Sequence, residues 1–513
     1  MRYGFVIDQD RCIGCHACTV ACKEEHNVPI GVFRTWVKYI EKGEFPDTSR
    51  HFGVMRCNHC DSAPCVEICP TTSLYRRADG IIDFDSDRCI GCKSCMQACP
   101  YDALYIDPNS HTAAKCNYCA HRVEQNLEPA CVIVCPTQAI IAGDLDDSQS
   151  LIASIVATQK VTTRKPHKGT DPKLFYKGID GDLLQPTMPS QSASHFWADR
   201  KDAAEFSALE PGYRAAVAAA SPGASRVVYD VAHPAPWGWR IGAYLLTKSI
   251  AAGALLVAAL MLTLGYRTEL LMFGFAAPIA AMAFVGVTAI LLIADLKRPD
   301  RFYFLITKPN PRSWVVIGAW ILMAYGAAAF LWFVTAWFAG LPPPILVWIS
   351  ALLAIAAACY TGFLFAQAKG RDLWQSPLYT WHLLMQAAIA GAATLIILGA
   401  FTGVSRETAL GLGNTLTVSL VLSLAMIMAE VYLAPPGREV ELAVEHLTAG
   451  ALSARFWGGA IGLGIAAPII LLAIADRGES AAALQVLAAA LALGGVWMFE
   501  ELWVRAGQSV PLS

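Results

Sequence analysis

From Gly242 to its end the chain is a succession of apolar stretches separated by short polar ones. Eight run approximately over 242–265, 271–294, 314–338, 345–366, 380–401, 408–432, 452–475 and 481–503. Each is long enough to cross ~30 Å of hydrocarbon, which takes about 20 helical residues. Tryptophans sit near their ends (Trp237, Trp239, Trp314, Trp337, Trp381, Trp457, Trp503), as expected of an interfacial belt. An even number of crossings returns the chain to the side it started from. That side is the side of the residues before 240, which enter the first span directly.

The residues before the spans have a different rhythm. Short apolar runs such as Gly4 to Ile7 and Ile81 to Phe84 predict strands, and each is followed by a cysteine-rich loop and a short helix. Val32 to Val54 predicts surface strands and hairpins. From about 146 to 235, Pro, Gly, Ser and charge recur (TTRKPHKGTDPKLFYK, PTMPSQSAS, AAASPGAS). This composition predicts a connector, either partly extended chain draped over the head or a partner, or a disordered linker. The expected organisation is therefore a cluster-bearing head at 1–145, a connector at 146–235 and a membrane domain at 236–513.

Composition supports that division. Hydrophobic residues make up 55% and charged ones 16%, too apolar for an ordinary soluble protein, and most charges precede residue 240. A net charge of −2 gives no argument for nucleic acid.

All but one of the 17 cysteines lie between Cys12 and Cys135, in four groups of four. These are Cys12, Cys15, Cys18, Cys22; Cys57, Cys60, Cys65, Cys69; Cys89, Cys92, Cys95, Cys99; and Cys116, Cys119, Cys131, Cys135. The third reads C-x2-C-x2-C-x3-C-P, the run of bacterial ferredoxins. The first keeps that spacing but is followed by Lys23. The second and fourth stretch one gap and keep the proline (Pro70, Pro136). A cubane cluster needs four thiolates at tetrahedral corners, and a tight loop supplies three while the fourth cysteine leads to a second cluster. Four 4Fe–4S clusters are expected. Disulfides are disfavoured because nothing in MRYGFVIDQD looks like a secretory signal. Zinc would call for C-x2-C pairs. Cys359, alone among the spans, reads as a small buried apolar residue.

The strongly polar residues within the spans all fall in the half nearest the head. Lys248 is early in span one, Asp295 closes span two, Tyr360 is late in span four and His382 opens span five. Glu430 is late in span six, Arg455 starts span seven, and Glu500, Glu501 and Arg505 end span eight. Ionisable groups at membrane depth are expensive and usually face a cavity or a partner. For Asp295, Arg455 and Arg505, interfacial snorkelling or docking of the head is the preferred reading. Lys248, Tyr360, His382 and Glu430 are candidates for a quinone site and its proton path. Bis-histidine haem is not expected, since beyond residue 235 only His382 and His446 occur and His446 falls in a loop.

Head-side loops carry Arg240, Lys297, Arg298, Arg301, Lys308, Arg312, Lys369, Arg371, Arg438, Arg455 and Arg505; the opposite loops carry Arg267, Arg406 and Arg477. The positive-inside rule puts the head in the cytoplasm, with the chain multi-pass in a bacterial inner membrane. The competing reading is that the 297–312 cluster holds the head on whichever side it lies. The lack of a twin-arginine signal ahead of the clusters agrees with a cytoplasmic head.

With these motifs in view, the head resembles the four-cluster subunit of complex iron–sulfur molybdoenzymes of the dimethyl sulfoxide and polysulfide reductase type. The tail resembles their NrfD-type membrane subunit, through DLKRPDRF (295–302), YTG (360–362) and AGQSVP (506–511). The fold class is then an α+β bacterial-ferredoxin-like four-cluster domain followed by an all-α eight-helix transmembrane bundle, here in one polypeptide. The resemblance implies that one cluster is held by Cys12, Cys15, Cys18 and Cys135, and its mate by Cys22, Cys116, Cys119 and Cys131. A third takes Cys57, Cys60, Cys65 and Cys99, and the fourth Cys69, Cys89, Cys92 and Cys95. It also implies a quinone site in spans one to four, supporting Lys248 and Tyr360, although the histidine and asparagine of some relatives' first span are missing.

The expected function is electron transfer and membrane anchoring between a quinone pool and a separate molybdenum or tungsten pterin subunit, of sulfur-compound or formate type. No substrate site of the chain's own is expected beyond the quinone site. Monomer and dimer of complexes both stay open. The alternative is a module of an energy-transducing complex like alternative complex III. That would need polar residues in the far half of the spans, where only Thr263, Thr394 and Asn414 stand. A structural anchor with a dead quinone site is the third reading.

Overall fold

The first strand, Tyr3–Asp8, is a run of apolar residues that becomes the centre of a sheet. Ile140–Asp144 pairs with it antiparallel and Leu174–Lys177 parallel. Phe5, Val6 and Ile7 are fully buried there. The hairpin expected between Val32 and Val54 is formed by Thr35–Glu44 and Asp47–Arg56, and Arg226–Tyr229 and Ser190–Gln191 extend it. Two small hairpins complete the head, Leu74–Arg76 with Ile82–Phe84 and Leu104–Ile106 with Ala113–Lys115. The computed structural model describes residues 1–44, 46–191, 225–433, 437–475 and 481–513.

Three strands of the expected connector are thus built into the head's sheets. LFYK (174–177) and RVVY (226–229) carry the apolar, β-branched and aromatic character of strands, inside stretches whose Pro and Ser content read as linker. The connector's residues 192–224 lie outside the described residues. A buried polar network ties down its last segment. Lys38 pairs with Asp230 at 3.2 Å and donates to the Ser513 carbonyl at 2.7 Å. His233 bridges Asp102 at 2.6 Å and Asp230 at 3.5 Å. The two carboxylates hold the His233 imidazolium charged, with a pKa up to about 10 against the cost of burial.

Among the described residues, eight helices are long and apolar enough to cross a membrane. They are span one Trp239–Thr263, two Leu270–Asp295, three Trp314–Ala339, four Pro344–Gln367, five Tyr379–Thr402, six Arg406–Tyr432, seven Arg455–Ala475 and eight Ala482–Ser509. Span one is the central post, with 83% of its most apolar window buried in the protein against 22% for span two. Small residues allow that. A methyl added to Gly253 would overlap the Ala387 carbonyl of span five, and one on Gly391 would overlap Gly253. Such close backbone approach replaces the hydrophobic drive that lipid cannot supply.

Candidate functional site: a cysteine row and a buried charge line

Each cysteine loop is shaped by left-handed backbone at its turn: Gly14 and His16 in the first, His59 in the second, Gly91 and Lys93 in the third, Tyr118 and Cys119 in the fourth. The turns aim backbone amides at sulfur. Gly91 and Ala113 donate to Cys89 Sγ at 3.4 and 3.3 Å, and Ala139 to Cys135 Sγ at 3.2 Å.

The thiols gather by fours. Burial raises the Cys12 thiol, and Cys135 and Cys15 raise it further. Burial likewise raises Cys22, beside Cys116, Cys131 and Cys119. Cys60 and Cys65 are raised by burial with Cys57 and Cys99 around them. Cys92 is raised to about 12 by burial, with Cys69 and Cys89 as charged neighbours. A small cavity is lined by Cys57, Cys60, Cys65 and Cys99. Four mutually repelling sulfurs in an apolar enclosure stay neutral unless a cation binds them. Among the described residues no three His, Cys, Asp or Glu side chains close on one ion, as mononuclear zinc requires. Four thiols together are the ligand set a four-iron cluster takes.

The quartets also form a row. Cys18 of the first neighbours Cys131 of the second, Cys116 neighbours Cys57 of the third, and Cys65 neighbours Cys95 of the fourth. The first end of the row is open. Cys15 is exposed, and Ile13, Val20, Ile30 and Ile133 are 58%, 64%, 97% and 58% exposed.

The other end is sealed against the membrane domain. Lys93 pairs with Asp295 at 2.8 Å, so Asp295 docks the head. Lys297 and Arg298 donate backbone N–H groups to Gly91 and Ile90 at 3.2 Å each. Arg301 donates to Ser86 and Cys89 carbonyls at 2.6 and 3.0 Å. DLKRPDRF is thus the clasp of the fourth cluster's loop. Asn310 caps the Cys69 carbonyl at 2.8 Å and Trp237 the Cys92 carbonyl at 3.3 Å. Gln508 of AGQSVP bonds Gln97 at 2.6 Å and the Trp237 backbone. Trp237 stacks on Trp374, and the stack continues through Phe365, Tyr379 and Trp503.

Below this seal lie the intramembrane candidates, in two groups. Lys248, fully buried, donates to the Ala358 carbonyl at 2.8 Å and to Thr361 Oγ1 at 2.9 Å. Its ammonium stands 5.2 Å from the centre of the Tyr360 ring. Gly318 makes room for that ring, since a methyl there would overlap it. YTG therefore supplies two of Lys248's neighbours. The second group is His382 and Glu430, with Nδ1 and Oε2 3.0 Å apart and both nearly sealed from solvent. Ser376 donates to the other Glu430 oxygen at 2.6 Å.

Glu500, fully buried, joins the two groups. It accepts from Tyr379 at 3.2 Å, and Lys248 and His382 are its charged neighbours. Its Oε1, like His382 Nε2, has no protein partner among the described residues. Glu501 next to it is taken by Arg505 at 2.6 Å and by Arg455. One residue is ~100° of helix turn, so adjacent carboxylates face different ways. Thr361, Ser376, Tyr379 and Glu500 were not among the sequence candidates for the quinone site. The Glu500–Glu501 pair was the visible signal, but helical phase alone does not say which faces inward.

Comparison with known proteins agrees with both halves. The family described as "Polysulphide reductase, NrfD" matches residues 228–511. The "4Fe-4S dicluster domain" matches 49–145, and the "4Fe-4S binding domain" 3–24. A tetrathionate reductase subunit of Salmonella typhimurium is 42% identical over 191 residues, 36% of this chain and 76% of that protein. A polysulfide reductase subunit of Wolinella succinogenes is 42% identical over 179 residues, 34% of this chain and 93% of its own. Protein NrfC of Escherichia coli is 44% identical over 178 residues, 34% and 80% of the two proteins.

Proposed function

The chain belongs to the polysulphide reductase NrfD family, with an electron-transfer iron–sulfur subunit fused ahead of its membrane domain, and from this we propose that it carries electrons between a membrane quinone and a molybdenum or tungsten pterin subunit docked on its open end. The observation that carries the proposal is the row of quartets, open at one end and clasped at the other directly above a buried lysine–tyrosine site.

Four-iron clusters, when bound, pass electrons one at a time along such a row. The residues do the rest. The exposed apolar residues from Ile13 to Ile133 are the docking face for the catalytic partner. The clasp from Asp295 to Asn310 fixes the last quartet against the bundle and excludes water from the gap. In the bundle, Lys248 and Tyr360 hold a quinone oxygen, and Glu500 exchanges its proton. Quinone chemistry moves two protons with two electrons. Tyr379, His382, Glu430 and Ser376 lead from Glu500 toward the head-side surface. Lys248 and Glu500 each lie nine residues from the head-side end of their span, about 13 Å along a helix. His382 and Glu430 lie near the span ends.

In the far half, Thr263 and Thr394 bond carbonyls of their own helices, at Leu260 and Ala390. They offer no continuation across the membrane, which favours the electron-transfer reading over a pump. With Arg298, Arg301 and Arg371 set aside as engaged with the head, Arg240, Lys308, Arg312, Lys369 and Arg438 still outnumber Arg267, Arg406 and Arg477 opposite, which supports a head on the cytoplasmic side. The partner acts on sulfur compounds, as the names of the tetrathionate and polysulfide reductase relatives suggest.

The test is gentle purification from the native membrane, with assays of iron, molybdenum and tungsten and identification of co-purifying chains. A pterin-binding chain at one per chain, with about sixteen irons, is the expected result. Multihaem cytochromes without either metal would overturn the proposal.

A further inference from the structure

The cysteine row contains two buried cations with no carboxylate partner among the described residues. Arg56 is 1% exposed. Its guanidinium lies 4.6 Å from the Phe5 ring centre and donates from Nη1 to Cys131 Sγ at 3.1 Å, while Nε and Nη2 have no partner. Its charged neighbours are Cys131 and Cys116 of the second quartet and Cys18 of the first. Lys115 is fully buried. It donates to the Cys116 carbonyl at 2.9 Å and to that of Ile82, and it neighbours Cys116 of the second quartet and Cys65 of the third. Elsewhere in the head Lys173 pairs with Asp61 at 3.1 Å and Lys93 with Asp295 at 2.8 Å, while buried Arg164, away from the cysteine loops, donates to the Leu512 carbonyl at 2.9 Å.

An isolated buried charge is costly and normally acquires a partner. For Arg56 and Lys115 the partner is the sulfur-bound group itself, and the second quartet is the one that both cations touch. Adding an electron there adds negative charge, which a fixed cation in a low-dielectric surrounding favours. We propose that Arg56 and Lys115 are fixed tuning charges that lift the reduction potential of the cluster held by Cys22, Cys116, Cys119 and Cys131 above those of the other three. Electrons entering from either end then collect at this step. The proposal concerns only the head, and it holds whichever partner docks and whichever way electrons flow.

The test is a redox titration of the full-length holoprotein followed by electron paramagnetic resonance, with iron counted in each sample. The variants are Arg56→Gln, Arg56→Lys and Lys115→Gln. In the wild type, one signal should have a higher midpoint than the other three. Arg56→Gln and Lys115→Gln should each move that same signal to lower potential, more than any other, and Arg56→Lys should largely restore it. A purely structural role would give equal iron and unchanged midpoints in both glutamine variants, and would overturn the proposal. So would shifts that fall on two different signals, or on the lowest one. If Arg56→Gln loses iron, the decision rests on Lys115→Gln, which leaves the guanidinium in place and must still lower the highest midpoint.

Discussion

The head and the bundle bury charge in opposite ways. In the bundle each buried carboxylate stands beside a basic side chain: Glu430 lies 3.0 Å from His382, Glu501 meets Arg505 and Arg455, and Lys248 is among the neighbours of Glu500. In the middle of the head Arg56 and Lys115 are cations alone among sulfurs. The difference shows what each region is built around. Such acid–base pairs are what the proposed quinone chemistry in the bundle would use. In the head, Arg56 and Lys115 lie against the cysteine loops without a carboxylate, while Lys38, Lys93 and Lys173 away from that centre each keep one.

The comparison can be broken most severely at a cysteine. Cys95→Ser should remove a whole cluster, about four of sixteen irons, and abolish electron passage, as iron analysis and quinol-dependent reduction would show. Next is the His382–Glu430 pair. His382→Leu alone should destabilise the bundle by about 3–5 kcal/mol by leaving a buried carboxylate unpaired. The double change with Glu430→Met should recover most of it. Thermal unfolding in detergent measures both. Lys248→Met should leave the iron content of the head intact and slow quinol-driven reduction about 10²-fold, the lower range for a group that assists proton transfer.

The smallest effect is expected from pH. His233 has its pKa raised to about 10, against ~6.5 in an unfolded chain. Its contribution is therefore fully present below pH ~6.5 and lost as pH rises through about 10. Melting of the head should fall by a few degrees over that window, and His233→Gln should flatten the slope. Asp230, whose pKa is lowered to about 2, loses its contribution only in strong acid.

Much of this was legible in the chain. The cysteine quartets showed because ligands to one cluster are mostly local in sequence. Their pairing did not follow from spacing, because Cys22, Cys69, Cys99 and Cys135 each cross to a partner loop; it came from family resemblance. The spans showed because lipid demands length and apolarity together. Asp295 was read as a docking residue and pairs with Lys93. Lys248 was singled out by depth and Tyr360 by the family resemblance, and the Lys248 ammonium stands 5.2 Å from the centre of the Tyr360 ring. Glu500 could not be separated from Glu501, since only ~100° of helix turn lies between them. Arg56 and Lys115 gave no signal, because a charge beside a cysteine loop reads as solvated surface until the fold closes over it. In the connector, Pro and Ser content masked two short strands whose pairing partners lie over a hundred residues away.

The central claim is that the buried lysine–tyrosine site feeds the cysteine row. The direct measurement is rapid mixing of the full-length holoprotein, in lipid, with a reduced quinone while the iron–sulfur absorbance is followed. The account predicts bleaching of the cluster absorbance by quinol, nearly lost in Lys248→Met at unchanged iron. Clusters that a soluble reductant bleaches but quinol does not, or a Lys248→Met variant as fast as the wild type, would contradict it.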